Sequence, residues 1–216
     1  MAQQEFRHLV IEGPIGVGKT SLARRLAKSL GAELLLEKAE DNPFLERFYQ
    51  DPRAAALPAQ LFFLLQRVEE LRGLRQADLF QPRLVADYLF DKDRVFAELN
   101  LDEHEFALYD KVYQQLAPEV PVPDLVIYLQ APVDVLQRRI AQRGIGYEQS
   151  ISADYLARLS EAYIRFFYHY DRSPLLIVNT RDINPVDSEQ DYRMLLERIR
   201  TIGSGRHYFN PAPLGV

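Results

Sequence analysis

A glycine-rich segment near the start of the chain constrains the fold more than any other feature. Residues 13–20 read GPIGVGKT and match the pattern G-x-x-x-x-G-K-[ST]. The apolar run FRHLVIEG precedes this segment, and SLARRLAKSLG follows it with Leu22, Leu26 and Leu30 on one helical face. A strand, a glycine-rich turn and a helix in this order predict a loop whose backbone N–H groups bind phosphates at the start of the helix.

The predicted phosphate loop can hold a nucleoside triphosphate. We expect Lys19 to meet the β- and γ-phosphates and the Thr20 hydroxyl to ligate Mg²⁺. The residues that we predict to bind the triphosphate within this segment are Gly13, Ile15, Gly16, Val17, Gly18, Lys19, Thr20 and Ser21.

Apolar strand patterns alternate with amphipathic helix patterns along the rest of the chain. This alternation predicts an α/β fold with a parallel sheet flanked by helices on both faces. We predict one domain over residues 1–216 and a loose glycine- and proline-rich tail from residue 203. Asp102 and Glu105 predict a capping box at a helix start. The five predicted strands lie in FRHLVIEG, AELLLEK, RLVADYLF, PDLVIYLQAP and PLLIVNT.

Composition narrows the possible partners. The 216 residues carry a formal net charge of −5, which argues against binding to nucleic acid. The absence of cysteine excludes disulfides and cysteine-bound metals. The first residues, MAQQEFRH, do not resemble a signal peptide, and no apolar run approaches the ~20 residues of a membrane span. We therefore expect a cytoplasmic protein without a membrane partner.

A GTPase switch is disfavoured by the sequence. Such a switch needs a D-x-x-G element that couples the γ-phosphate to a moving loop, and no aspartate here is followed by glycine at that spacing. The segment NTRD at 179–182 follows the fifth predicted strand but lacks the lysine of a guanine-binding N-K-x-D. We expect it to lie near the base of the bound nucleotide.

Two carboxylates end predicted strands. Glu37 and Asp87 lie at the ends of the second and third predicted strands, and the carboxyl ends of parallel strands face the ligand crevice. A kinase needs one carboxylate to accept a hydroxyl proton and one to help hold Mg²⁺. The sequence leaves open which acid has which role.

Arginines precede a second glycine-containing loop. Arg138, Arg139 and Arg143 lie on a predicted helix before GIGYEQSI, and Arg139 and Arg143 share one face. Arginines above a triphosphate neutralise the charge that develops during phosphoryl transfer. We therefore predict a short arginine-bearing lid that closes over the phosphates.

These motifs together resemble the deoxyribonucleoside kinase family, which includes deoxycytidine, deoxyguanosine and bacterial deoxyadenosine kinases. The resemblance extends from about residue 6 to 200, and Glu37 in LLLEKAEDNPFLERFY matches the acid after the second strand. The spacing of Tyr49, Gln60 and Arg67 also matches the family. The resemblance implies a five-stranded P-loop kinase fold in which Tyr49 contacts the sugar 3′-hydroxyl while Gln60 and Arg67 face the base.

The segment DYLFDKDRVFA resembles a second family signature. Asp87 takes the place of the family acid, and Asp93 is implied as a partner of Arg67 at the base. The arginine that follows the acid in the family is Tyr88 here. The apolar neighbours expected around the base are Phe63 and Phe96.

The lid resembles the family pattern as well. Arg139, Arg143 and Glu148 fall in family positions, and Glu148 is implied as an acceptor for the 3′-hydroxyl. A third family arginine is replaced by Ile145, and Arg138 is a candidate to compensate for the missing charges.

The resemblance implies phosphorylation of a deoxyribonucleoside 5′-hydroxyl by ATP and Mg²⁺ in nucleotide salvage. Glu37 accepts the hydroxyl proton and Asp87 helps to hold the metal, although their roles can be exchanged. Similarity to the bacterial purine branch favours deoxyadenosine, then deoxyguanosine, and family members are commonly dimers, so we expect a homodimer. The alternatives are a nucleoside monophosphate kinase of the thymidylate kinase type and a non-catalytic nucleotide-binding module.

Overall fold

The structure is a computed structural model, and it describes residues 6–76, 83–116 and 120–211. Strands and helices alternate along the chain, as the sequence predicts. The strands are β1 (His8–Glu12), β2 (Glu33–Leu35), β3 (Leu84–Ala86), β4 (Leu125–Gln130), β5 (Leu175–Asn179) and β6 (Arg206–Phe209). The helices are α1 (Lys19–Leu30), α2 (Leu45–Gln50), α3 (Pro52–Gln76), α4 (Lys92–Asn100), α5 (Glu103–Leu116), α6 (Val133–Arg143), α7 (Ala153–His169) and α8 (Glu189–Arg200).

The strands form one parallel sheet in the order β2-β3-β1-β4-β5-β6. β1 lies inside the sheet, with Val10 opposite Ala86 of β3 on one side and Val126 of β4 on the other. Buried residues of β1 and β4 contribute to the hydrophobic clusters on both faces. The predicted α/β class, with helices flanking a parallel sheet, is therefore confirmed.

The sheet has six strands where the sequence predicts five. The additional strand, β6, pairs parallel to β5 with Leu175 opposite Arg206. It lies within the segment that we expected to be a loose tail, while residues 212–216 fall outside the described part of the chain. β6 has only four residues beside glycines and a proline, so its apolar pattern is weak, and its pairing depends on the edge of β5. The interpretation of residues 1–216 as one domain stays a prediction.

A local signal predicts the start of α5. The Asp102 carboxylate accepts the backbone N–H of Glu105 at 2.9 Å, and the Glu105 carboxylate accepts the N–H of Asp102 at 3.2 Å. The predicted capping box is therefore confirmed. Among the described residues, no helix has both the length and the apolar character needed to cross a membrane.

Candidate active site

Two glycines give the phosphate loop its tight path between β1 and α1. Gly13 has φ 148° and Gly16 has φ 82°, a region of backbone conformation that favours glycine. A Cβ at Gly13 would lie 2.4 Å from the Leu129 carbonyl oxygen, and one at Gly16 would lie 2.7 Å from Cγ1 of Ile140. Both positions therefore require glycine for close packing against β4 and α6.

Lys19 begins α1 and turns back over the loop. Its Nζ donates to the carbonyl oxygens of Gly13 at 2.8 Å and Pro14 at 3.3 Å. Burial lowers the pKa of Lys19 and the charge of Lys92 lowers it further, against the attraction of nearby carboxylates. An anionic phosphate beside Lys19 would stabilise its charged form.

Glu12, at the end of β1, is a site residue that the sequence did not single out. Its carboxylate is fully buried and accepts the N–H groups of Gly13 and Leu89, each at 2.8 Å. It also accepts the hydroxyl of Tyr163 on α7 at 2.9 Å. Glu12 therefore fixes the start of the phosphate loop relative to the loop after β3. Because the Gly13 N–H is used in this way, Gly13 shapes the loop and does not line a cavity.

Two cavities of about 650 and 740 Å³ open on either side of the phosphate loop. The first lies toward α6 and the loop after β5, and the second lies between β2, α3 and α4. We call them the donor cavity and the acceptor cavity. Both are lined by Gly16, Lys19, Thr20, Ser21 and Arg143. Two molecules bound in the two cavities would therefore meet beside Lys19.

Arg138, Arg139 and Arg143 all line the donor cavity from α6. The Arg139 guanidinium donates to the hydroxyl and the carbonyl oxygen of Thr180, at 3.0 and 3.1 Å, and to the Val17 carbonyl oxygen at 3.3 Å. These bonds connect the predicted lid helix to the loop after β5. Residues 180–182, from the NTRD segment, line the same cavity.

Asp87 connects the phosphate loop to the end of β2. Its Oδ2 accepts the Thr20 hydroxyl at 2.5 Å, and its Oδ1 accepts the backbone N–H of Glu37 at 2.8 Å. Asp87 is 3% exposed. The two predicted metal ligands, Thr20 and Asp87, are therefore adjacent.

Glu37 projects into the acceptor cavity between two cations. Its Oε1 accepts two N–H groups of Arg67, and its Oε2 accepts Nζ of Lys92 at 2.8 Å. Burial raises the pKa of this carboxyl, but the charges and hydrogen bonds of Lys92 and Arg67 outweigh burial and hold the pKa well below its usual range. Glu37 is therefore ionised at neutral pH.

The buried ammonium of Lys92 was not predicted. Lys92 is 2% exposed and lines the acceptor cavity, whereas the resemblance implied a cation at position 88. The Tyr88 hydroxyl instead donates to Glu70 at 2.8 Å. In the sequence, the one feature that points to Lys92 as a replacement cation is its position four residues after Tyr88. At the other departure, Ile145 lines the acceptor cavity as an apolar residue.

Arg67 is held from behind by Asp93. The two side chains form a buried ion pair, and Tyr109 donates to the other Asp93 oxygen at 2.6 Å. Asp93 is fully buried and lines neither cavity. The predicted pairing with Arg67 is present, and the expected position of Asp93 at the base stays a prediction.

Gln60 presents an unused acceptor. Its side chain lines the acceptor cavity at 3% exposure, and among the described residues its buried Oε1 has no hydrogen-bond partner. Buried polar atoms are seldom left unpaired. A ligand N–H in the cavity would satisfy this oxygen. The predicted residues that line the acceptor cavity are Glu37, Tyr49, Gln60, Phe63, Arg67, Asp87, Phe96 and Glu148.

Tyr49 and Glu148 approach each other at the lid side of this cavity. Tyr49 stacks on Tyr147, a residue that the sequence analysis did not select, with ring centroids 6.0 Å apart. Burial raises the pKa of Tyr49, and the charge of Glu148 raises it further. Tyr49 therefore keeps its proton and can donate a hydrogen bond. Glu148 is ion-paired with Arg143 of the lid helix.

Comparisons with known proteins identify the family of this chain. The sequence profile of the deoxynucleoside kinase family matches residues 9–203. A deoxyguanosine kinase from Bacillus subtilis is 32% identical over 199 residues, covering 90% of this chain and 96% of that protein. A deoxyadenosine kinase from Dictyostelium discoideum is 33% identical over 198 residues, covering 88% of this chain and 78% of that protein.

Solved structures show the same fold. A deoxyadenosine kinase from M. mycoides with bound dCTP aligns with a TM-score of 0.76 at 24% identity, covering 90% of this chain and 99% of that one. With a family profile that runs from β1 through α8 and includes the residues that line both cavities, the chain belongs to the deoxynucleoside kinase family and is an enzyme that phosphorylates deoxynucleosides.

Proposed function

We propose that this enzyme transfers the γ-phosphoryl group of ATP to the 5′-hydroxyl of a purine deoxynucleoside, giving the 5′-monophosphate and ADP. The observation that carries the proposal is the meeting of two cavities at the phosphate loop, with Gly16, Lys19 and Thr20 exposed to both. A donor triphosphate and an acceptor hydroxyl would converge there. Positioning of this kind supplies much of the rate enhancement in phosphoryl transfer.

ATP occupies the donor cavity in this proposal. Lys19 and the backbone of residues 16–21 bind its phosphates, Gly13 shapes the start of the loop, and Arg139 and Arg143 neutralise charge on the transferred group. Arg138 lines the same cavity and can contribute a further charge. Arg138 on α6 can therefore supply part of the positive charge that is missing where Ile145 replaces an arginine of the family.

The proposed Mg²⁺ ligands fit the metal. A Thr hydroxyl and one carboxylate, completed by phosphate oxygens and water, are the oxygen ligands that Mg²⁺ prefers, and Thr20 and Asp87 offer this set side by side. The metal supplies charge neutralisation at the phosphates when it is bound. Asp87 itself fixes the Thr20 side chain and the backbone of Glu37.

Glu37 is our candidate for the general base. Asp87 accepts the hydroxyl of Thr20, the other proposed metal ligand, and its second oxygen accepts a backbone N–H, whereas Glu37 Oε2 accepts one donor and lines the acceptor cavity in its ionised form. Its low pKa makes it a weak base, which is compatible with a loose transition state in which the nucleophile keeps its proton until late. We therefore assign proton acceptance to Glu37 and metal support to Asp87.

The deoxynucleoside is held by polar groups at both ends of the acceptor cavity. We propose that Tyr49 and Glu148 bind the 3′-hydroxyl and that Gln60 pairs with the base edge. Phe63 and Phe96 supply apolar contacts. Asp93 contributes indirectly, because it orients Arg67.

The purine preference rests on relatives, which include deoxyguanosine kinases and deoxyadenosine kinases. Gln60 does not distinguish a purine from cytosine, because its carboxamide offers an acceptor beside a donor. Such a pair matches adenine N6–H and N1, guanine N1–H and O6, and cytosine N4–H and N3. We propose deoxyadenosine as the preferred substrate, then deoxyguanosine.

We also propose that the enzyme acts as a cytoplasmic homodimer. The α7 face carries exposed apolar side chains, with Ile164 at 53% and Tyr168 at 70% exposure. Apolar surface of this kind favours association. Light scattering of the wild type and of Ile164→Glu would test the dimer, since the substitution is expected to shift the mass toward that of a monomer.

The proposed reaction is tested by incubating the enzyme with ATP, MgCl₂ and each of the four common deoxynucleosides. We expect deoxyadenosine to give the highest kcat/KM, followed by deoxyguanosine. A parallel series with the deoxynucleoside monophosphates as acceptors tests the monophosphate-kinase alternative. Product only from the monophosphates, or no product from any acceptor, would overturn the proposal.

A further inference from the structure

Lys92, the first residue of α4, is a buried cation placed against the proposed base. Its side chain is 2% exposed, and its Nζ lies 2.8 Å from Glu37 Oε2. Removing an ammonium from water is costly unless an anion pairs with it. Packing alone would therefore be better served by an apolar side chain. The burial of the Lys92 ammonium therefore indicates a role beyond packing.

The surroundings of Lys92 direct its charge toward the reaction centre. The rings of Tyr88 and Phe96 lie 5.8 and 5.9 Å from its Nζ and form an apolar wall. Lys19 of the phosphate loop is close enough that the charge of Lys92 contributes to lowering its pKa. Within the described part of the chain, Lys92 forms an ion pair with Glu37.

The two oxygens of Glu37 differ in their hydrogen bonds. Oε1 accepts two donors, Nε and Nη2 of Arg67, so both of its acceptor positions are taken. Oε2 accepts the single donor from Lys92. A carboxylate oxygen has about two acceptor positions. Oε2 therefore keeps one position for a hydroxyl in the cavity.

We propose that Lys92 is the positioning residue of Glu37, whose Oε2 it directs to the 5′-hydroxyl of the acceptor. This inference rests on the proposed function. In the transfer step the 5′-oxygen forms a bond to the γ-phosphorus, and the bond from that phosphorus to the β–γ bridging oxygen breaks. The hydroxyl proton passes to Glu37 Oε2, and ADP leaves. Lys92 thus supplies near the base the positive charge that position 88 lacks.

The test uses Lys92→Met and Lys92→Gln, which remove the charge, and Lys92→Arg, which keeps it. We expect the neutral variants to lose kcat by a factor on the order of 100, with a smaller change in the KM for the deoxynucleoside. A residue that only packs would change the stability of the fold and leave kcat of the folded enzyme unchanged, so a loss of kcat at a nearly unchanged KM identifies positioning of Glu37. Lys92→Arg should restore most of kcat. Lys92→Gln keeps a hydrogen-bond donor and occupies the space of the lysine side chain. It therefore serves as the neutral variant if the Lys92→Met protein does not fold.

The matched control is Lys111→Met, an exposed lysine on α5, which should behave as the wild type. Circular dichroism of the wild type and the neutral variants checks that each variant is folded. Wild-type kcat in a folded neutral variant would overturn the role of Lys92 alone. A wild-type enzyme that forms no monophosphate would overturn the proposed function and this role together.

Discussion

The Thr20 hydroxyl donates to Asp87 Oδ2 at 2.5 Å, so a side chain of the phosphate loop and one from the end of β3 meet directly. The same aspartate accepts the backbone N–H of Glu37 at 2.8 Å. A single buried carboxylate therefore sets the distance between the proposed metal site and the proposed base. A disturbance of Asp87 should affect both.

Thr20→Val tests the proposed metal ligand. Loss of the hydroxyl should raise the MgCl₂ concentration needed for half-maximal rate by about 10- to 100-fold, because one oxygen ligand is removed. Thr20→Ser keeps the hydroxyl and should remain near the wild type. Initial rates across a MgCl₂ series measure the effect. An equal Mg²⁺ requirement in all three proteins would contradict the assignment.

Glu37→Gln tests the proposed base. The amide cannot accept the hydroxyl proton, so kcat should fall by about 10²- to 10⁴-fold, whereas the Kd for ATP should remain within about threefold. Single-turnover assays and calorimetric titration with ATP provide the two measurements. Glu33→Gln, on the exposed end of β2, is the matched control. If Glu37→Gln turned over at the wild-type rate, Glu37 would not be the base.

Gln60→Leu tests the reading of the base edge. The substitution keeps the approximate volume but removes both hydrogen-bonding groups, which is expected to cost about 1–3 kcal/mol in kcat/KM for deoxyadenosine. Gln66→Leu, on the same helix but outside the cavity lining, is the control. If Gln60→Leu kept the wild-type preference among the four deoxynucleosides, other residues would determine it.

The pair of Tyr49 and Glu148 should determine recognition of the 3′-hydroxyl. The wild type should prefer a deoxynucleoside over its 2′,3′-dideoxy analogue, and Glu148→Gln should reduce that preference by about tenfold, in line with a hydrogen bond to a charged group. Tyr49→Phe should act in the same direction. Glu46→Gln, exposed on α2, should leave the ratio of kcat/KM values unchanged. A ratio that is the same in all variants would refute this assignment.

Buried tyrosines predict a loss of stability at alkaline pH. Burial raises the pKa of Tyr128 to about 12 and that of Tyr155 to about 12, against about 10 in an unfolded chain. A raised pKa stabilises the fold below the unfolded pKa, and this contribution is lost as the pH rises through the folded value. The free energy of unfolding should therefore fall between about pH 10 and 12. Denaturant titrations measure it, and Tyr128→Phe should show a smaller decrease than the wild type.

The phosphate loop and most of the sheet were predictable because their signals are local. Glycine spacing, a strand before the loop and acids at strand ends all depend on neighbouring residues. Tyr49, Gln60 and Arg67 were expected only because their spacing resembles that of a known family. These patterns determined the side of the sheet on which the ligands would meet.

Other features depend on packing between distant segments. Lys92 in the charged run DKDR reads as a solvated residue, and it becomes buried only because α4 packs beside Glu37 and Arg67. Asp93 lies behind Arg67 for the same reason. Glu12 looks like the polar end of a strand until Leu89 and Tyr163, from distant segments, provide its donors. A single sequence does not specify which segments approach each other in this way.

The sixth strand has a practical consequence for any shortened form of the enzyme. The family profile ends at residue 203, whereas β6 begins at Arg206 and covers the outer side of β5. Arg206 also donates to the carbonyl oxygens of Phe167 and Tyr168 at 2.9 Å each. A protein trimmed at the family boundary would expose the backbone of a strand whose first residues, Leu175 and Leu176, are buried. Unpaired strand edges recruit other chains, so such a protein should precipitate even though every residue of the two cavities is retained.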